Sequence, residues 1–184
     1  MYAPIHVYEA GTQRPVAFIL RPAKTPSGNE IVAYVHHLIR RIRTHWPEVH
    51  ITLRGDGYYA RPEVMVWCEK SGVDYIFGLP GNAVLKADPV NARTADACAV
   101  HRAVNGLRPN RVFCETTYAA KSWGDTKRRV IARIEASTFG MDVRTIVTSF
   151  MTVSQGSSLR RIGPIPIHFR RHAHTQHDRV LSCG

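Results

Sequence analysis

Between Ser27 and Leu79 the spacing of apolar residues switches from helical to alternating and back, and this limits the possible folds more than any other feature of the chain. Ile31, Val35, Leu38, Ile42 and Trp46 recur at intervals of three and four. That spacing sets one apolar stripe along a helix and leaves Arg40, Arg41 and Arg43 mostly off it. Ser27-Gly-Asn-Glu30 has the form of a capping box at the helix start, and Pro47 stops the helix. Val49, Ile51 and Leu53 then alternate with polar residues as a strand that runs into the turn Arg54-Gly-Asp-Gly57. Pro62 suits the first turn of a second helix, which carries Val64, Trp67 and Cys68 and closes at Gly72. Val73 to Leu79 follows as an apolar strand. Alternating helix and strand predict an α/β class with strands sandwiched between helices.

The flanks read differently. Ile5 to Tyr8 and Pro15 to Leu20 are short runs rich in Val, Ile and Phe around a turn at Gly11, a hairpin pattern. From about residue 83 the pattern changes to a helix over Thr94 to Val104 and strand-like runs at Arg111 to Thr117, Arg129 to Ala136 and Val143 to Phe150. Those runs predict a mostly antiparallel β insertion, so residues 1–150 form the folded core. Ser154 to Gly184 holds five Arg, four His, two Pro and one Asp with few large apolar residues. Residues 151–184 are therefore expected to be a basic, His/Arg-rich tail without packed structure, of the composition a shifted reading frame in GC-rich DNA produces. No internal repeat or coiled-coil heptad is present.

Charge narrows the partners. Across 184 residues, 25 Lys and Arg against 14 Asp and Glu give a formal net charge of +11, which favours a polyanion through counterion release. An apolar content of 44% is ordinary for a chain with a hydrophobic core. Cys68, Cys98, Cys114 and Cys183 form no C-x-x-C pair, which argues against a zinc ribbon or a secreted disulfide framework and fits a reducing cytoplasm. No apolar run has membrane-spanning length, so no membrane association is expected.

Arg54-Gly-Asp-Gly57 is the sharpest local feature. An acidic side chain at a strand end between glycines is how many metal-dependent phosphodiesterases present a ligand, but Asp-Gly is equally a common turn dipeptide. Several longer motifs supply context: P-I-H-V-Y at Pro4 to Tyr8, L-R-P-A-K-T-P-S-G at Leu20 to Gly28, R-I-R-T-H-W-P at Arg41 to Pro47, I-T-L-R-G-D-G-Y-Y at Ile51 to Tyr59, R-P-E-V-M-V-W-C-E at Arg61 to Glu69, and G-V-D-Y-I-F-G-L-P-G-N at Gly72 to Asn82. Y-A-A-K-S-W at Tyr118 to Trp123 and R-I-E-A-S-T at Arg133 to Thr138 continue the series. In this order they resemble the catalytic core of a DDE-type bacterial insertion-sequence transposase, from Pro4 to about Phe150. The resemblance implies a partial RNase H-like mixed sheet with flanking helices. It also implies DNA as partner and two Mg²⁺ ions, or Mn²⁺, held by two Asp and one Glu for two-metal phosphoryl transfer. The family's middle Asp matches Asp56, which becomes the one candidate catalytic and metal-binding residue.

The departures carry as much weight. The family's first Asp lies on a strand upstream of P-I-H-V-Y, and no Asp precedes Asp56 in this sequence. The family's Glu belongs on a helix beyond the β insertion, and no Glu follows Glu135. Glu9 falls at a hairpin turn, Glu30 reads as a helix cap and Glu48 as a solvated loop residue. The expectation is a truncated member with an incomplete carboxylate triad, inactive alone, whose missing central strand leaves an open sheet edge. The alternative is a module that binds DNA or the full-length transposase and interferes without catalysis. A third possibility is an enzyme completed by another fragment. Lys24, Arg40, Arg41, Arg43, Arg54, Lys121, Lys127, Arg128 and Arg129 are the candidate phosphate contacts, each set against the plain reading of a solvated charge. Trp123 is either a base-stacking platform or a core aromatic. His168, His172, His174 and His177 are either a Zn²⁺ or Ni²⁺ site or an accident of composition.

Overall fold

The computed structural model describes residues 4–81, 83–87, 92, 95–97, 99, 110–137, 140–150 and 179–183. In chain order the elements are β1 (Ile5–Glu9), β2 (Pro15–Ile19), α1 (Gly28–His45), β3 (Ile51–Gly55), α2 (Pro62–Lys70), β4 (Asp74–Leu79), α3 (Ala83–Ala87), β5 (Asn110–Tyr118), β6 (Arg128–Ser137), β7 (Gly140–Thr148) and β8 (Arg179–Cys183). They divide into two compact units, residues 1–78 with 147–149 and 174–184, and residues 79–146 with 150–173.

The first unit is mixed α/β. Its five strands run in the order β2-β1-β8-β3-β4. β1 and β2 are antiparallel, β3 and β4 parallel, and β8 is antiparallel to β1 and parallel to β3. The β1–β2 turn is organised by Glu9, whose carboxylate accepts from the backbone of Gly11 and Thr12 at 2.8 and 2.7 Å. α1 starts where expected, with Ser27 Oγ accepting from Glu30 N at 3.2 Å. The Glu30 side chain turns to Arg21 and Tyr34, an ion pair in place of the second half of a capping box. Gly28 lies close to the first turn of α2, where an added Cβ would stand 2.2 Å from Glu63 Oε2 and that exposed side chain would have to swing aside. The core combines Ile31, Val35, Ile39 and Ile42 of α1 and Val64, Met65 and Cys68 of α2 with Ile5, Val7, Ile51, Leu53, Tyr75 and Phe77 of the strands. The helix stripe thus passes through Ile39, with Leu38 half-buried and Trp46 an exposed C-cap. The spacing puts Trp46 within the stripe, but the helix ends before it.

The tail departs from its expected lack of packing in one segment. Arg179–Cys183 is a strand, with Val7 opposite Cys183 and Leu53 level with Leu181. A five-residue strand whose backbone partners lie on both sides needs only short apolar alternation, too brief to register as periodicity. The same strand closes the middle of the sheet, where an open edge was expected. The His cluster of the tail and the proposed frame change lie outside the described residues.

In the second unit β5 and β6 pair antiparallel from Asn110↔Ala136 to Tyr118↔Arg128, as the insertion pattern predicts. A short 3-10 turn at Lys121–Trp123 joins them, followed by Gly124 in the left-handed region at φ 62°. Cys114, Ala132 and Ile134 form a buried cluster with Ala95, Val112 and Val143 against it. The helix expected over Thr94 to Val104 lies mostly outside the described residues, and the short α3 has no counterpart in the sequence pattern.

Candidate functional site

Asp56 follows the last residue of β3, on a turn that its own atoms build. Its Oδ1 accepts from Tyr58 N at 2.8 Å and its carbonyl from Tyr59 N at 3.2 Å, an Asx-type turn that leaves the side chain exposed. Gly55 and Gly78 pack closely around this turn. A Cβ at Gly55 would press on the buried Tyr59 ring at 2.7 Å, and one at Gly78 would meet Gly57 N at 3.3 Å and the Asp56 backbone at 3.4 Å. Packing of Tyr59 against Phe77, with ring centroids 6.4 Å apart, ties the turn to the core. Asp56 is therefore both things that the sequence allowed, a turn former and a carboxylate presented at a strand end.

Among the described residues no three His, Cys, Asp or Glu side chains come together. A two-Mg²⁺ centre needs several oxygen ligands in defined geometry, and the described residues do not fit one. The other early carboxylates are engaged or solvated. Glu9 holds its turn and Glu48 is exposed. Glu30 accepts from Arg21 Nε at 2.9 Å and from Nη2 at 3.3 Å, and this hydrogen bond lowers the Glu30 pKa while raising that of Arg21. Arg21 also donates to the Lys24 carbonyl.

The nine basic candidates separate by environment. Lys24, Arg40, Arg41, Arg54, Lys121 and Lys127 are exposed. Arg43 donates to the carbonyls of Ser71 and Gly72 at 3.0 and 3.2 Å, tying α1 to the end of α2. Arg128 is buried with its guanidinium carbon 5.5 Å from the centroid of the Trp123 ring, and Trp123 is itself buried beside Tyr118. Arg129 makes a bidentate pair with Glu115 at 2.7 and 2.8 Å and donates to the Phe150 carbonyl.

One feature of α1 and α2 is not marked in the sequence. His36, Arg40, Arg43, Thr44, Trp67 and Ser71 line an open groove of about 480 Å³, with the His36 and Trp67 rings 5.9 Å apart. The spacing of His36 and Arg40 by one helical turn was the available signal, but Trp67 reads as a core residue of α2 until the two helices are set side by side.

The family model described as Transposase DDE domain group 1 matches residues 1–162, and the chain belongs to that transposase family. No curated protein and no solved structure matches it. Membership implies interaction with DNA and a divalent metal ion as the usual cofactor of the family. Among the described residues no helix is long and apolar enough to cross a membrane.

Proposed function

We propose that this chain is a transposase core that binds DNA through exposed basic side chains and does not cleave it by itself. The observation that carries the reading is Asp56, an exposed carboxylate at a strand end with no cluster of metal-ligating side chains among the described residues. The RNase H-like architecture of the family belongs to the same reading. The antiparallel β1–β2 hairpin and the parallel pair β3–β4 with α2 between them in sequence support it.

DNA contact falls to the cations that stand exposed on the described surface. Arg40 and Arg41 on α1 lead, with Lys24, Arg54, Lys121 and Lys127 behind them. Contacts of this kind position a duplex without reading its sequence, so affinity should fall steeply with salt and vary little with sequence. Mg²⁺ or Mn²⁺ enters only with further carboxylates, and Asp56 would be this chain's own contribution to such a centre. The test pairs two assays on the purified chain, binding to duplex DNA across a salt series and nicking of supercoiled plasmid with Mg²⁺ or Mn²⁺. Salt-sensitive binding without nicking is expected. Metal-dependent nicking that Asp56→Ala removes would refute the non-cleaving part, and absence of binding at low salt would refute the rest.

A further inference from the structure

α1 and α2 lie side by side in the first unit, and the groove between them is built by helical spacing. His36, Arg40 and Thr44 follow one another at intervals of four on α1 and so form a single row, while Trp67 of α2 and its C-cap Ser71 form the facing row. Between the rows Ile39 is buried and Arg43 half-buried, which makes them the floor. Arg43 donates to the Ser71 and Gly72 carbonyls, and this strut fixes the spacing of the two helices.

The Thr44 hydroxyl donates to the Arg40 carbonyl at 2.9 Å, so the groups that meet a ligand are the exposed Arg40 and His36 side chains and the half-buried Trp67 ring. None of the lining residues is Asp or Glu, and from His36 to His45 α1 carries three Arg and three His without a carboxylate. A groove of this charge draws an anion. An inorganic anion would use the arginine and leave the aromatic surface bare, whereas a ligand that uses both carries a phosphate and a flat ring. The volume of about 480 Å³ falls within the range of small-molecule sites and suits one nucleotide. In a duplex both faces of every base are covered by stacking, so only an unpaired nucleotide can turn one to Trp67.

We propose that the groove between α1 and α2 holds one unpaired nucleotide of a DNA strand, with its base against the Trp67 and His36 rings and a flanking phosphate at Arg40. The two rings stand 5.9 Å apart and tilted by 54°, so the base lies on one side of the pair and not between them. This site rests on the DNA-binding reading given above and adds to it a preference for DNA that contains an unpaired stretch. Arg41, outside the groove, serves a duplex and a single strand alike, whereas Trp67 serves only the single strand.

The test measures binding of the full-length chain to labelled oligothymidylate and to a blunt duplex of equal length at the same low salt. Trp67→Leu should weaken binding of the oligothymidylate by about tenfold, the worth of one base stacked on an aromatic ring, and leave duplex binding nearly unchanged. If Trp67→Leu does not fold, Thr44→Glu changes an exposed side chain and sets a carboxylate in the groove. It should reduce oligothymidylate binding more than duplex binding. Equal losses on the two DNAs, or no loss on the oligothymidylate, overturn the groove as a nucleotide site while the duplex reading stands. Loss confined to the oligothymidylate in a chain that fails to bind the duplex overturns the duplex reading and upholds the groove. Binding of neither DNA by the unaltered chain overturns both.

Discussion

Two sets of arginines look alike in the sequence and differ in the fold. Arg40 and Arg41 on α1 are exposed, whereas Arg128 and Arg129 on β6 are occupied, the first buried against Trp123 and the second held by Glu115 and the Phe150 carbonyl. A run of basic residues fixes net charge but not where that charge is available. On a helix the side chains off the apolar stripe reach water, while on a strand the alternation sends every second one inward. On the proposed function the α1 pair is free to meet DNA, whereas the β6 pair is engaged within the second unit.

Substitutions can break this division, and the largest effect is expected at Trp123. Trp123→Ala should lower stability by about 3–5 kcal/mol in denaturant titration, since it empties a buried aromatic site beside Arg128 and Tyr118. Arg128→Ala should cost roughly 2 kcal/mol by removing a desolvated cation–π interaction, with little further loss in the Trp123→Ala background because the two residues act as one unit. Arg129→Ala should cost at most about 1 kcal/mol, because its pair with Glu115 is partly exposed. The double change Arg40→Gln and Arg41→Gln should leave the denaturation midpoint nearly unchanged. It should weaken DNA binding and reduce the slope of log affinity against log salt by about 0.9 for each phosphate that is no longer neutralised. Equal DNA affinity in the α1 double variant, or a larger affinity loss in Arg129→Ala, would reverse the division.

A smaller effect concerns the start of α1. Arg21 lowers the pKa of Glu30, so Glu30 binds protons less readily in the folded chain than in the unfolded one. The stability this contributes is present above the unfolded carboxyl pKa and is lost as pH falls through the folded value. Glu30→Gln should flatten the acid limb of the stability profile and change little at neutral pH relative to its own baseline. An unchanged acid limb would remove the Arg21–Glu30 pair from the account.

Much of the first unit was legible because its elements are long or well punctuated. Ser27, Pro47, Pro62 and Gly72 mark both helices to within two residues, and the alternation through Ile51 and Leu53 marks β3. The hairpin and the insertion strands were legible on the same grounds. β8 was not, because five residues carry too little pattern and its strand character comes from neighbours far away in sequence. For the site, Asp56 and its turn followed from local chemistry. The occupation of Arg43, Arg128 and Arg129 depended on partners such as Ser71, Trp123 and Glu115, whose proximity only the tertiary fold supplies. The groove beside His36 and Trp67 required both helices at once.

The central claim is that the chain binds DNA and does not cleave it alone. The most direct measurement is a nicking assay on supercoiled plasmid with Mg²⁺ and then Mn²⁺, under salt conditions where binding is first established, comparing the unaltered chain with Asp56→Ala. The account predicts bound plasmid that stays supercoiled with both proteins. Nicked product from the unaltered chain that disappears with Asp56→Ala would contradict it.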